Sequence, residues 1–76
     1  MQRYFIKRKE TESVNGMDMD CYACLLRNGL VKLHYWTMDP REATVFYNPQ
    51  EAKDKGDELF TREEDAFDVV PVGGFW

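Results

Sequence analysis

The sequence is short of most things that carry chemistry. It holds one histidine and two cysteines in 76 residues. No general base has a partner of predictable geometry, no glycine-rich phosphate loop occurs, and the one C-x-x-C lacks the second ligand pair of a structural zinc site. No apolar run is long. Tyr4-Phe5-Ile6 is hemmed by Arg3 and by Lys7-Arg8-Lys9, which is too short for a secretory core or a membrane span. Positive charge is not in excess either. Ten bases face fourteen acids for a net charge of −4, so direct nucleic-acid binding is not expected. Low-complexity stretches are missing, and 43% hydrophobic residues is the content of a folded chain rather than a disordered one.

These absences leave room for one small core. Residues 1–76 read as a single domain, with 73–76 a flexible tail that carries Phe75 and Trp76. The chain opens on Met and shows no tag, so a complete small gene product is expected. Two cysteines without an export signal point to reduced thiols and a cytoplasmic location.

What is present is organised around Cys21 to Asp39. Asn28-Gly29 lies between two β-prone runs and predicts a hairpin with a type I′ turn. Taking those two residues as the turn pairs Leu26 with Val31, Cys24 with Leu33, and Tyr22 with Tyr35. This face is almost wholly apolar and reads as core. The other face, with Leu25 opposite Lys32, Ala23 opposite His34 and Cys21 opposite Trp36, reads as a mixed outer surface. Cys21 and Cys24 form a lone C-x-x-C. On a strand such residues lie about 10 Å apart on opposite faces, beyond the roughly 7 Å between Cα atoms that a disulfide allows. Cys24 is therefore expected in the core and Cys21 at the surface, with no metal and no cofactor.

Around the hairpin, residues 3–9 read as a first strand with Tyr4 and Ile6 on one side. Residues 10–20 read as a loop or wide hairpin with a second Asn-Gly. Asp39-Pro40-Arg41-Glu42 and Asn48-Pro49-Gln50-Glu51 are both helix starts, with Asp or Asn as cap and Pro at the first position. The first predicts a turn with Ala43 and Phe46 on one side. The second predicts a helix over 49–60 with Ala52, Gly56, Leu59 and Phe60 inward. Residues 67–72 read as a last strand whose partner is left open, the first strand being a candidate. The whole predicts an α+β domain, a small antiparallel sheet of about four strands with one covering helix, in the order strand-strand-strand-helix-strand.

Trp36, Asp39, Ala43, Phe46, Pro49, Glu51, Ala52 and Val69-Val70-Pro71-Val72, with the opening Tyr4-Phe5-Ile6, are laid out in a way that resembles small phage- and prophage-encoded orphan accessory proteins of α+β type. The resemblance implies an accessory product that inhibits a host enzyme or defence system, with no catalytic residues.

Two surfaces stand out for such a role. Charge is uneven: residues 1–38 hold six bases and four acids, and residues 39–76 four bases and ten acids. Glu51, Asp54, Asp57, Glu58, Glu63, Glu64 and Asp65 form an acidic band able to imitate nucleic-acid phosphates in the basic groove of a host protein, such as a nucleic-acid-binding enzyme. The alternative reading of the band is a solvated face that keeps the domain soluble. The second surface is aromatic and mixed: Leu25, Lys32, His34 and Trp36, with Phe75 and Trp76. The expected function is thus a non-enzymatic, acidic protein-binding module. A homo-oligomer that sequesters a small ligand at a subunit interface is the runner-up, and a thiol or metal protein comes third.

Overall fold

The computed structural model describes residues 2–28 and 30–73. Strands β1 (Tyr4–Arg8), β4 (Tyr22–Asn28), β5 (Val31–Thr37) and β6 (Phe67–Pro71) form one antiparallel sheet in the order β5-β4-β1-β6. Helix α1 (Pro49–Leu59) packs on one face of it, against β1 and β6. Strands β2 (Glu12–Val14) and β3 (Met17–Met19) make a separate small hairpin in the expected loop. The fold is α+β, and the last strand does pair with the first, from Tyr4↔Pro71 to Arg8↔Phe67.

Local chemistry explains the ends of these elements. Asn48 caps α1, its side-chain oxygen accepting from the backbone N–H groups of Gln50 at 2.9 Å and Glu51 at 3.4 Å, and Pro49 occupies a position where a missing N–H costs nothing. The Asn-Gly of the first loop turns β2 into β3. Asn15 and Gly16 both take positive φ, 52° and 79°, as a type I′ turn requires.

Strands β1 and β4 touch at one end, at Lys7↔Tyr22, with the Arg8 N–H donating to Cys21 O at 2.8 Å. Residues 44–46 fill the gap between their other ends. Tyr4 and Phe46 exchange backbone bonds at 2.7 and 2.9 Å, the Thr44 N–H donates to Ala23 O at 3.0 Å, and Thr44 Oγ1 accepts from the Leu25 N–H at 2.8 Å. Buried backbone groups are thereby satisfied without a full strand. Because the wedge is extended, Ala43 and Phe46 face opposite sides of the sheet. Phe46 joins Ile6, Ala23, Ala52 and Phe60 under the helix, and Ala43 joins Phe5 and Tyr22 on the far side. Their expected common side is corrected by this geometry.

The hairpin register differs from the expected one by two residues. Pairing runs from Tyr22↔Thr37 through Cys24↔Tyr35 and Leu26↔Leu33 to Asn28↔Val31, so positions 29 and 30, not 28 and 29, lie between the paired ends. Gly29 itself falls outside the described residues, as do residues 74–76, where the tail aromatics Phe75 and Trp76 were expected to act. The shift sets Trp36, the largest side chain, opposite Ala23, among the smallest. A slip of two residues keeps every side chain on its face. The grouping into faces therefore stands while the partners change.

The assignment of those faces is corrected. Helix α1 covers the mixed face with Ala23, Leu25 and Trp36, and leaves Leu26, Leu33 and Tyr35 exposed. Tyr22 and Cys24 are buried, as expected of core, and so is Cys21, which was expected at the surface. The neighbouring strands decide the matter. Tyr4, Ile6, Phe67 and Val69 all point to the helix side, where Gly56 and Ala52 let α1 lie close. A Cβ on Gly56 would overlap the Phe67 ring, so this helix position needs glycine despite a cost of about 1 kcal/mol.

Candidate binding surfaces

Among the described residues no three His, Cys, Asp or Glu side chains converge as a metal site would require. Cys21 and Cys24 are free thiols. Burial, and then the negative charge of Glu12, push the Cys21 thiol up, the opposite of what a reactive thiolate needs.

Of the residues expected to form an aromatic contact surface, Leu25 and Trp36 pack against the core, while Lys32 and His34 stay exposed. Trp36 stacks on Phe60 with ring centroids 4.4 Å apart, and its indole N–H donates to Asp65 Oδ1 at 3.0 Å. His34 meets the edge of the same Phe60 ring at 5.5 Å. Phe60 is the residue that closes α1, and its N–H donates back to Gly56 O. The cluster thus fastens the helix end and the 3₁₀ turn at Glu63–Asp65 to the edge of the sheet. The Trp36 bond and Arg62 hold the Asp65 carboxyl below the usual carboxylate range. Leu25 is half-buried in the same packing, and Lys32 is exposed beside it.

The acidic band is laced with partners. Asp57 pairs with Lys53 at 2.9 Å, Glu58 with Lys55 at 3.1 Å, and Glu64 and Asp65 with Arg62 at 3.2 and 3.4 Å. Asp54 accepts from the Gln50 amide at 2.9 Å. Five of the seven carboxylates are therefore engaged, and among the described residues Glu51 and Glu63 make no such contact. Exposed pairs of this kind contribute little to stability, but they do flatten the field that a phosphate mimic would present.

The far side of the sheet carries a surface that the sequence reading placed in the core. Leu26 and Leu33 are directly opposite each other, and Tyr35 follows one step along. They are 48%, 57% and 42% exposed. Past the buried Thr37, Met38 is 43% exposed and lines a separate groove with Met19, Tyr22 and Pro40. Beside it Phe5 and Tyr22 are buried, with ring centroids 5.2 Å apart. Nothing in the hairpin alone marked this face as the open one. The signal lay in the strands beside it, whose helix-side residues fix the orientation of the sheet. No family model matches this chain, and no curated protein or solved structure does.

Among the described residues no helix is long and apolar enough to cross a membrane.

Proposed function

We propose that this chain is a small protein-binding module without catalytic chemistry of its own, docking a partner protein on the uncovered face of the β4–β5 hairpin. One observation carries the reading: Leu26, Leu33 and Tyr35 stand exposed as neighbours on one sheet face. A domain this small has few large apolar side chains to spare from its core, and contiguous exposed apolar residues mark interaction sites. In the form the phage resemblance suggests, the partner is a host enzyme or defence protein whose functional surface is occupied. The free thiols Cys21 and Cys24 support a reducing compartment, the cytoplasm. The acidic band then acts in steering, through its unengaged Glu51 and Glu63, rather than as the contact itself.

The test is co-purification from host lysate by the wild type and by a Leu33→Asp, Tyr35→Ser variant. A partner that stays bound in high salt and is lost from the variant supports this reading. A partner kept by the variant, but released by salt or by charge reversal at Glu58, Glu63 and Glu64, overturns it in favour of the acidic mimic.

A further inference from the structure

The two edges of the sheet are finished differently. Strand β6 has five residues, its Pro71 brings no N–H, and its Asp68 lies 3.7 Å from Lys9 Nζ. Such features discourage further pairing. Strand β5 has seven residues with no Pro or Gly, keeps unbroken register with β4, and has no strand on its outer side among the described residues.

The orientation of its free backbone groups follows from β4. The Leu25 N–H and the Ala23 and Leu25 carbonyls are directed to Thr44, away from β5. In an antiparallel ladder, residues opposite such positions also turn their backbone outward. Their partners are His34 and Trp36, and Lys32 continues the alternation. These three residues present N–H and C=O groups at the open edge.

The charge beside this edge is positive in a chain of net −4. Arg27 and Lys32 are directly opposite each other, an arrangement of like charges that ordinarily destabilises a strand pair. Among the described residues neither has a carboxylate partner, whereas Lys7, Arg8, Lys9, Arg41, Lys53, Lys55 and Arg62 each have one. On the helix side Arg27, Lys32, His34 and Lys55 line a cleft of about 220 Å³ beside Leu25 and Leu59, and its one carboxylate, Glu58, is held by Lys55.

We infer that the β5 edge takes an extended acidic segment of a partner protein as an added strand. Backbone bonds to Lys32, His34 and Trp36 hold the segment. Carboxylates at its alternate positions meet Arg27 and Lys32 at the mouth of the cleft, the usual division of labour when a peptide extends a sheet. A second copy of this chain does not fit that edge. Two β5 strands side by side would double the basic charge along the shared edge, with no acid anywhere in Val31–Thr37 to offset it. The edge is a different surface from the uncovered face and stands whether or not that face docks a partner.

The test uses two short peptides, one alternating Glu with Thr and one alternating Lys with Thr. Binding is measured by fluorescence anisotropy, and amide exchange is followed by NMR. The Glu peptide is expected to bind roughly tenfold more tightly, the size of two exposed ion pairs, and to slow exchange at the Lys32, His34 and Trp36 amides. An Arg27→Glu, Lys32→Glu variant should reverse the preference, and Arg27→Gln, Lys32→Gln should abolish it. Unchanged exchange at Phe5 and Ile6 will show that the variants fold. Equal affinity for both peptides, or no slowing at those three amides, overturns the inference. So does concentration-dependent slowing in the free protein with the mass of a dimer, which would assign the edge to a second copy.

Discussion

The sheet presents large apolar side chains on both faces, and the two faces are used differently. On the helix side Ile6, Ala23, Phe46, Ala52 and Phe60 are buried together, with Trp36, Phe67 and Val69 packed around them. On the other side Phe5, Tyr22 and Ala43 are buried beside the β1–β4 junction, and beyond them Leu26, Leu33 and Tyr35 are left in solvent. Hydrophobicity alone does not separate the faces, because β5 alternates Val31, Leu33 and Tyr35 with Lys32, His34 and Trp36. A helix with a stripe of small residues covers the first face, and among the described residues no element covers the hairpin end of the second. Apolar burial, and with it the hydrophobic stabilisation, is concentrated in the covered layer.

The sharpest way to break this comparison is to truncate one ring on each side. Phe60 touches Trp36, His34 and Phe67. Phe60→Ala should cost about 3–4 kcal/mol, the range for removing a buried ring, read as a drop in the urea midpoint. Leu33→Ala on the open face should cost less than about 0.5 kcal/mol. Similar losses for the two variants would mean that the open face is covered in solution.

Gly56 tests how closely the helix must approach. In most helices Gly→Ala stabilises by about 1 kcal/mol. Here the added methyl meets the Phe67 ring, and overpacking of this kind costs about 1–3 kcal/mol. Gly56→Ala should therefore be net destabilising by about 1–2 kcal/mol. Pairing it with Phe67→Leu should recover part of that loss, because the two sites share one contact. A stabilising Gly56→Ala would show that the layer has slack.

How much of this was readable in the sequence depends on the range of the interaction. Asn48-Pro49 announced the start of α1 and Asn15-Gly16 was noted as a turn signal, because caps and tight turns are decided within a few residues. The alternation in Cys21 to Asp39 placed the side chains in the right two groups, because a strand's period does not depend on what covers it. Which group is covered depends on contacts between β4–β5, β1, β6 and α1, far apart in sequence. The same holds for register. The Asn28-Gly29 signal pointed to one pairing, and the fit of Trp36 over Ala23 and Phe60 accompanies another. Trp36 read as a contact residue because its bond to Asp65, across 29 positions, leaves no local trace.

That bond gives the smallest of the three effects and has a signature of its own. Asp65 is held below the ordinary carboxylate range, first by the indole N–H of Trp36 and then by Arg62. A lowered native pKa means that the native state releases this proton more readily than the unfolded chain. The stabilisation is complete above the unfolded value, about 3.9, and is lost as pH falls through the lower folded value. In Asp65→Asn the amide oxygen can still accept from Trp36, but the charge is gone. At neutral pH the variant should be about 1 kcal/mol less stable, the lower end for a charge-assisted hydrogen bond near the surface. Urea midpoints of the two proteins should then converge as pH falls below about 3.9, because the wild type protonates to a neutral side chain of similar shape. A gap that stays constant with pH would mean that the carboxylate's charge does not tie the 3₁₀ turn to Trp36, and that the covered layer is held by ring packing alone.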